Sequence, residues 1–146
     1  MAEYERLQRI VDAQEDSVFL WGARQVGKST LVKTLYPKAK VYDLLMSDEY
    51  GRLMRRPQLL REELEHLGEE SLVIIDEIQK IPQLLDEVHW LIVNRGIRFI
   101  LCGSSARKLK RVGTNLLGGR ASSVNLYPLE SAEIPDFDLI RAITHG

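Results

Sequence analysis

The sequence predicts an α/β protein in which helices cover both faces of a parallel sheet. Short apolar runs alternate with amphipathic stretches along the chain, a pattern typical of successive strand–helix units. One run, Leu72-Val73-Ile74-Ile75, has four consecutive apolar residues, which indicates a strand buried on both faces. A glycine-containing loop at residues 22–29 separates another apolar run from an amphipathic stretch. We therefore expect right-handed crossovers between parallel strands.

The composition is that of one ordinary globular domain. The chain has 146 residues, of which 45% are hydrophobic and 28% are charged, enough for a sizeable core. The net charge of -1 does not indicate a nucleic-acid or acidic-membrane binder, although a local basic face stays open. Cys102, the single cysteine, lies in an apolar run and is expected to be a buried core residue. With no disulfide framework, signal region or membrane-length apolar run, we expect a cytoplasmic protein.

Periodicity and chain breakers place the individual elements. An amphipathic helix at 3–14 precedes the first strand, Ser17–Trp21, and a helix from Ser29 to Tyr36 follows the glycine loop. Gly68 and Gly96 are expected to end helices. The further strands are expected at 40–45, 71–77, 98–105 and 121–127, and the further helices at 48–56, 57–66, 82–94, 106–111 and from 131 onward.

Residues 22–29 carry the strongest chemical signal. They fit the pattern G-x-x-x-x-G-K-[ST] of a phosphate-binding loop, and they stand between a predicted strand and helix, as that motif requires. Gly22 and Gly27 let the backbone approach an anion closely, and the loop N–H groups with the helix N-terminus face the phosphates. Lys28 adds charge for the outer phosphates, and the Ser29 hydroxyl is a Mg²⁺ ligand. The predicted nucleotide-binding residues are Gly22, Ala23, Arg24, Gln25, Val26, Gly27, Lys28, Ser29 and Thr30.

Two adjacent carboxylates follow the most apolar strand. A phosphate-binding loop needs an acidic group on a neighbouring strand to hold Mg²⁺, and Asp76 closes its strand in the manner of a Walker B aspartate. The next residue, Glu77, is placed to orient the attacking water or to accept its proton. We therefore predict a Mg²⁺ ligand at Asp76 and a catalytic carboxylate at Glu77.

Further candidates lie later in the chain. Ser104 and Ser105 end the strand expected beside the Asp76 strand, where a polar group can touch the attacking water or the terminal phosphate. Capping of a following helix is the alternative. The sequence does not decide between the two serines; Ser104 is taken as the catalytic candidate, with Ser105 as the alternative. Arg120 follows two glycines and fits either an arginine finger, within the chain or toward a neighbour, or a surface arginine.

Two weaker groupings favour ordinary structural explanations. The cluster Arg52, Arg55, Arg56 and Arg61 is expected to form a solvated helix face, with contact to a partner or nucleic acid as the alternative. Asp86 and His89 lie three residues apart on a predicted helix but have no further ligands nearby in the sequence. We therefore do not expect a metal site on that helix.

Taken together, these stretches resemble the ATPase domain of bacterial and archaeal AAA-superfamily ATPases that carry a C-terminal domain of unknown function. The resemblance implies a P-loop NTPase fold, a three-layer α/β/α sandwich whose five-stranded parallel sheet has the order 5-1-4-3-2. It also implies that Glu77 is catalytic and that Arg120 is functional. We expect one ATPase domain over 1–146, with 131–146 beginning a further helix or linker toward a second domain. The resemblance covers 17–133 and rests on the phosphate-binding loop with Val73–Pro82, Leu101–Ala106, Leu117–Ala121 and Leu126–Glu130.

The sequence thus predicts Mg²⁺-dependent binding and hydrolysis of ATP by a water that Glu77 activates. The alternative is a nucleotide-gated switch that binds ATP with little turnover, and Glu77 favours the enzyme because a binding module does not need that carboxylate. ATP and ADP are the expected ligands, and self-association or a C-terminal domain is the expected means of completing the site. A GTPase is disfavoured because the guanine-reading sequence Asn-Lys-x-Asp does not occur.

Overall fold

The computed structural model describes residues 17–22, 28–69, 71–104, 117 and 121–125, with the backbone alone at 28, 29 and 125. These residues form five strands and four α-helices. The strands are β1 (Ser17–Trp21), β2 (Lys40–Asp43), β3 (Leu72–Asp76), β4 (Arg98–Gly103) and β5 (Ala121–Asn125). The helices are α1 (Lys28–Leu35), α2 (Ser47–Arg55), α3 (Gln58–Leu64) and α4 (Leu84–Arg95).

The strands form one sheet with the order β2-β3-β4-β1-β5, in which every neighbouring pair is parallel. This order is the predicted 5-1-4-3-2 read from the other edge, so the expected P-loop NTPase topology is confirmed. The register pairs Asp43 with Asp76, Asp76 with Cys102, and Trp21 with Gly103. The carboxyl ends of these four strands therefore lie together at one edge of the sheet.

Alternating side chains on the strands build a core on each face of the sheet. Phe19 and Trp21 of β1 point into the larger core, which α2, α3 and α4 cover. Val18 and Leu20 point into the smaller core, to which α1 contributes Val32. Cys102 is fully buried in the smaller core, as its apolar surroundings in the sequence predict. The three-layer α/β/α arrangement is confirmed.

Two local predictions were wrong. The second strand ends at Asp43 instead of residue 45, because Asp43 Oδ1 accepts the Leu45 N–H at 3.0 Å and turns the chain. Gly68 does not cap α3, which ends at Leu64. The residue that caps the helix, Glu65, has a right-handed backbone conformation, so the helix ends without a left-handed residue. Among the described glycines, Gly96 alone has a positive φ, 68°, and it ends α4 as predicted. The helices predicted at 3–14, at 106–111 and from 131 lie outside the described residues.

Candidate functional site

The carboxyl ends of β1, β2, β3 and β4, together with the residues that follow each strand, form the region that we call the carboxyl edge. In open α/β sheets, ligands bind at this edge, because loops and helix N-termini meet there. The predicted site residues on the described part of the chain fall at this edge or on α1, which begins shortly after β1. The edge is therefore the place to test each prediction.

The beginning of the predicted phosphate-binding loop is fixed to the end of β4. The Gly22 N–H donates a hydrogen bond to the Gly103 carbonyl oxygen at 3.0 Å, one residue before Ser104. On the far side of the loop, α1 begins at Lys28, and Thr30 lies exposed in its first turn. The strand and helix that flank the loop are thus confirmed. Residues 23–27 and the side chains of Lys28 and Ser29 lie outside the described part, so their nucleotide contacts stay predictions.

Asp76, the predicted Mg²⁺ ligand, lies at the end of β3 with 2% of its surface exposed. Lys33 of α1 places its Nζ 4.0 Å from Asp76 Oδ2 and 3.9 Å from Asp43 Oδ2. A positive charge is thus already stabilised between two carboxylates at the predicted metal position. Mg²⁺ is commonly bound by one or two carboxylates together with substrate phosphates, so these residues fit the ion. Sequence reasoning missed both Asp43 and Lys33.

Glu77 has an unusual backbone conformation for its residue type. Its φ of 62° and ψ of 48° are left-handed, and its side chain is almost fully buried at 1% exposure. A left-handed residue other than glycine costs on the order of 1 kcal/mol, and such residues concentrate at functional sites. The conformation turns the chain from β3 directly into the 3-10 helix Ile78–Lys80, and the Glu77 carbonyl oxygen accepts the Lys80 N–H at 3.0 Å. This sharp turn keeps Glu77 at the carboxyl edge.

A glutamine joins two of the predicted catalytic residues. Gln79 Nε2 donates hydrogen bonds to Glu77 Oε1 at 2.6 Å and to Ser104 Oγ at 3.2 Å. The structure therefore brings Glu77 and Ser104 together through one side-chain amide. Sequence reasoning assigned Gln79 no role, and its place two residues after Glu77 was the signal that could have drawn attention to it.

Gly103 allows this close arrangement. A Cβ at position 103 would lie 2.5 Å from Trp21 Cζ3 and 2.6 Å from Gln79 Oε1, closer than atoms can approach. Trp21 is held in turn by a stacked ring contact with Phe19, with centroids 5.2 Å apart. Within the described part of the chain, Trp21 Nε1 and Gln79 Oε1 are buried without a hydrogen-bond partner. Buried unpaired polar atoms are rare in stable interiors, and here two of them lie at the candidate site.

The described residues do not test two of the remaining candidates. Ser105 and Arg120 lie outside the described part of the chain, so their roles stay predictions. Asp86 and His89 both lie on α4, and the described residues contain no group of three or more His, Cys, Asp or Glu that could hold a metal ion.

Three arginines of the predicted basic cluster belong to a network of surface ion pairs. Arg52 bonds to Glu49 and Glu63, Arg56 lies 3.6 Å from Glu62, and Arg61 Nε donates to Glu87 Oε1 at 2.9 Å. Burial alone would lower the pKa of Arg52, but its hydrogen bonds to the two glutamates raise it above its ordinary value. We call these three arginines and their glutamate partners the arginine network.

The comparisons with known proteins concern the family and the fold. The family model for the AAA domain matches residues 14–135, most of the chain. The chain belongs to the AAA domain family. The match includes the phosphate-binding loop, Asp76, Glu77, Ser104 and Arg120. No curated protein sequence gives a significant match.

Solved structures show the same fold at low sequence identity. The Walker-type ATPase PABY2304 of Pyrococcus abyssi is 15% identical at a TM-score of 0.55, over 97% of this AAA domain and 61% of that chain. A Pif1 helicase, from a study of DNA unwinding at forked double-stranded DNA, is 16% identical at a TM-score of 0.53. That match covers 87% of this chain and 43% of the helicase, so this chain spans less than two thirds of either relative. The family match, taken together with this shared fold, makes the chain an AAA-family, P-loop ATPase-like domain. Its described helices include none that is long and apolar enough to cross a membrane.

Proposed function

We propose that this AAA domain binds ATP with Mg²⁺ and hydrolyses the terminal phosphate by means of a water that Glu77 activates. The observation that carries the proposal is the buried Glu77, which follows Asp76 and is joined to Ser104 through Gln79. Membership of the AAA domain family supports the choice of a nucleotide as the ligand. The position of these groups beside the first residue of the phosphate-binding loop supports the choice of the reaction.

The loop and α1 would bind the phosphates. Gly22 leaves β1 next to Ser104, because its N–H bonds to the Gly103 carbonyl oxygen. In a phosphate-binding loop the backbone N–H groups and the following helix N-terminus offer positive partial charge to phosphate oxygens, and residues 23–28 with the start of α1 would do so here. Lys28 would contact the outer phosphates with its ammonium group.

Asp76 and Ser29 are the residues that would hold Mg²⁺. When bound, the ion neutralises charge on the outer phosphates and orients them for attack. Lys33 now lies 4.0 Å from Asp76, so we expect its ammonium to withdraw toward Asp43 or solvent when Mg²⁺-ATP binds. Once the positive charge of Lys33 has moved away, it no longer repels the cation that Asp76 would bind.

Glu77 would act on the water and Ser104 on the phosphate. A carboxylate within hydrogen-bond distance of the attacking water orients it and accepts its proton as the new oxygen–phosphorus bond forms. The bond from the terminal phosphorus to the bridging oxygen breaks, and ADP leaves with that oxygen. The Ser104 hydroxyl can donate to the terminal phosphate from the end of β4. Arg120 would add a guanidinium that stabilises transition-state charge, either within this chain or from a neighbouring copy.

No nucleic-acid partner is proposed. Arg52, Arg56 and Arg61 are each paired with glutamates, and the net charge of the chain is -1. The likeness to the Pif1 helicase shows the fold alone at 16% identity. A cytoplasmic location and self-association stay predictions from the sequence.

The test of the proposed function measures ATP affinity and turnover together in wild type and Glu77→Gln with excess Mg²⁺. We expect turnover to fall about 100-fold or more in Glu77→Gln, because general-base catalysis contributes about that much. ATP affinity should stay within about threefold, because the variant preserves the shape of the side chain and only removes its charge. Equal turnover in both proteins would contradict the role of Glu77. Tight binding without turnover in either protein would favour the nucleotide-gated switch instead.

A further inference from the structure

We infer that Gln79 is a positioning residue that fixes the carboxylate of Glu77 and couples its orientation to Ser104. This inference rests on the proposed function, because it assigns Gln79 a role in activating the water through Glu77. Three observations carry it: the two hydrogen bonds that the Gln79 amide donates, its burial, and the exclusion of any side chain at position 103.

The Gln79 amide uses its full donor capacity at this site. A primary amide nitrogen carries two hydrogens, and Gln79 Nε2 has two acceptors, Glu77 Oε1 at 2.6 Å and Ser104 Oγ at 3.2 Å. The bond to Glu77 is the shorter of the two. One nitrogen atom therefore sets the distance between the predicted general base and the predicted phosphate sensor.

The orientation of the amide is determined by its surroundings. Turning it by 180° would place Oε1 against the Glu77 carboxylate, two acceptors facing each other without a proton between them. Oε1 lies only 2.6 Å from the position that a Cβ at residue 103 would occupy, so the glycine leaves room for the amide oxygen. Gln79 is 7% exposed, and water therefore has little access with which to replace the bonds.

This arrangement links the phosphate to the water through one chain of hydrogen bonds. A serine hydroxyl that accepts from Gln79 keeps its own O–H available to donate to a terminal phosphate. The contacts then connect Glu77, Gln79, Ser104 and phosphate in that order: the Gln79 amide donates to both Glu77 and Ser104, and the Ser104 hydroxyl donates to the phosphate. When the phosphate is absent, Ser104 loses an acceptor, and Glu77 loses part of what holds its orientation.

A purely structural glutamine predicts different behaviour. A side chain that only fills space would be replaceable by methionine, which is also unbranched and flexible. A positioning residue would not be replaceable by methionine, because misplacing a catalytic group by about 1 Å can lower the rate about 100-fold. The two roles therefore predict different kcat values but the same stability for Gln79→Met.

The experiment uses the full chain and compares Gln79→Met, Ser104→Ala and the double variant with wild type. Gln83→Met is the matched control, because Gln83 is exposed and precedes α4. For each protein we measure kcat, KM, ATP affinity with Mg²⁺ and melting temperature. We expect Gln79→Met to lower kcat at least about tenfold, with ATP affinity within about twofold of wild type. We expect the double variant to lose little more than Gln79→Met alone, because the two residues act as one unit.

Several results would overturn the inference. Full kcat in Gln79→Met would show that Glu77 needs no positioning by this amide. Effects of Gln79→Met and Ser104→Ala that multiply would show that the two side chains act independently. If Gln79→Met is unfolded by its melting curve, Gln79→Asn replaces it: this variant keeps an amide that is too short to reach both partners, and full kcat there overturns the inference equally.

The same measurements separate this inference from the proposed function. Absence of turnover in wild type would overturn the proposed function and this inference with it. Turnover that is lost in Glu77→Gln but retained in Gln79→Met would overturn this inference alone. Turnover that is lost in both variants, with affinity retained and Gln83→Met unchanged, supports both.

Discussion

The carboxyl edge and the arginine network both contain several carboxylates, yet the two regions differ in burial. In the network, the glutamate side chains that pair with Arg52, Arg56 and Arg61 are 20–46% exposed. At the edge, Asp76 and Glu77 are 2% and 1% exposed as residues. Exposed ion pairs change the free energy of folding little. Burying a carboxylate costs several kcal/mol of desolvation free energy, which a partner must offset.

This difference shows which acidic residues deserve a chemical explanation. Network carboxylates have guanidinium partners in solvent, an arrangement that surface helices adopt readily. Edge carboxylates are held by a left-handed backbone at Glu77, a lysine ammonium 4.0 Å from Asp76 and the amide of Gln79. Strain and burial of this kind are retained mainly where a site uses them. The comparison predicts that substitutions at the edge have large effects and those in the network small ones.

The largest stability effect is expected for Gly103→Ala at the carboxyl edge. Its new Cβ would meet the Trp21 ring at 2.5 Å and Gln79 Oε1 at 2.6 Å, so the ring and the amide must shift. Overpacking of this kind costs about 1–3 kcal/mol in the free energy of unfolding. The control Gly51→Ala adds a Cβ inside α2, whose nearest neighbour is the flexible end of Arg55 at 3.7 Å. It should stabilise the protein by roughly 0.5–1 kcal/mol. Urea unfolding that ranks the two variants in the opposite order would contradict the packing described at Gly103.

An intermediate effect is expected for Tyr42→Phe at the inner end of the network. Tyr42 is buried, and its hydroxyl donates to Glu63 Oε1 at 2.9 Å, which joins β2 to α3. Loss of this bond should cost about 1 kcal/mol at neutral pH.

The same residue predicts a pH dependence. Burial, followed by the hydrogen bond and charge of Glu63, raises the pKa of Tyr42 above its ordinary value. The neutral phenol is therefore favoured in the folded state, and its stabilisation is complete below pH 10 and declines above it. Between pH 9 and 11, wild type should lose about 1 kcal/mol more stability than Tyr42→Phe. Parallel alkaline unfolding profiles for the two proteins would rule out this role for Tyr42.

The smallest effect is expected for Arg56→Ala at the outer rim of the network. Arg56 lies 3.6 Å from Glu62, and the side chains are 57% and 46% exposed. Such a pair contributes about 0.5 kcal/mol or less, and added salt should reduce even that difference. Turnover should be unchanged. A loss of more than about 1 kcal/mol in the free energy of unfolding, measured by thermal unfolding at moderate salt, would mean that the network contributes more to stability than exposed ion pairs usually do.

Most of the fold could be predicted because each strand carries its own signal. The apolar runs in β1 and β3 reflect burial on both faces of the sheet, and such runs can be recognised from the local sequence. The resemblance to AAA-superfamily ATPases then supplied the strand order, which periodicity alone does not contain. The failure at Gly68 arose because a glycine after a helix indicates a cap only if the chain turns left-handed there, and this chain does not.

Much less of the site geometry was available from the sequence. Asp76 and Glu77 could be proposed from their position after a buried strand, but the left-handed backbone of Glu77 could not. The Gln79–Ser104 bond joins residues 25 positions apart, so it depends on how β3 and β4 pair. Lys33 reaches Asp43 and Asp76 only because α1 packs over that part of the sheet. These contacts are properties of the tertiary arrangement and leave no local pattern.

The central claim is that the carboxyl edge is a Mg²⁺-nucleotide site and that the arginine network is not. The most direct test is an equilibrium titration of ATP, with excess Mg²⁺, into wild type, Lys28→Ala and Arg56→Ala. We predict that Lys28→Ala weakens ATP binding at least about tenfold, because a charged contact to phosphate is lost. Arg56→Ala should bind as wild type does. Equal affinity in wild type and Lys28→Ala, or a larger loss in Arg56→Ala, would contradict the account.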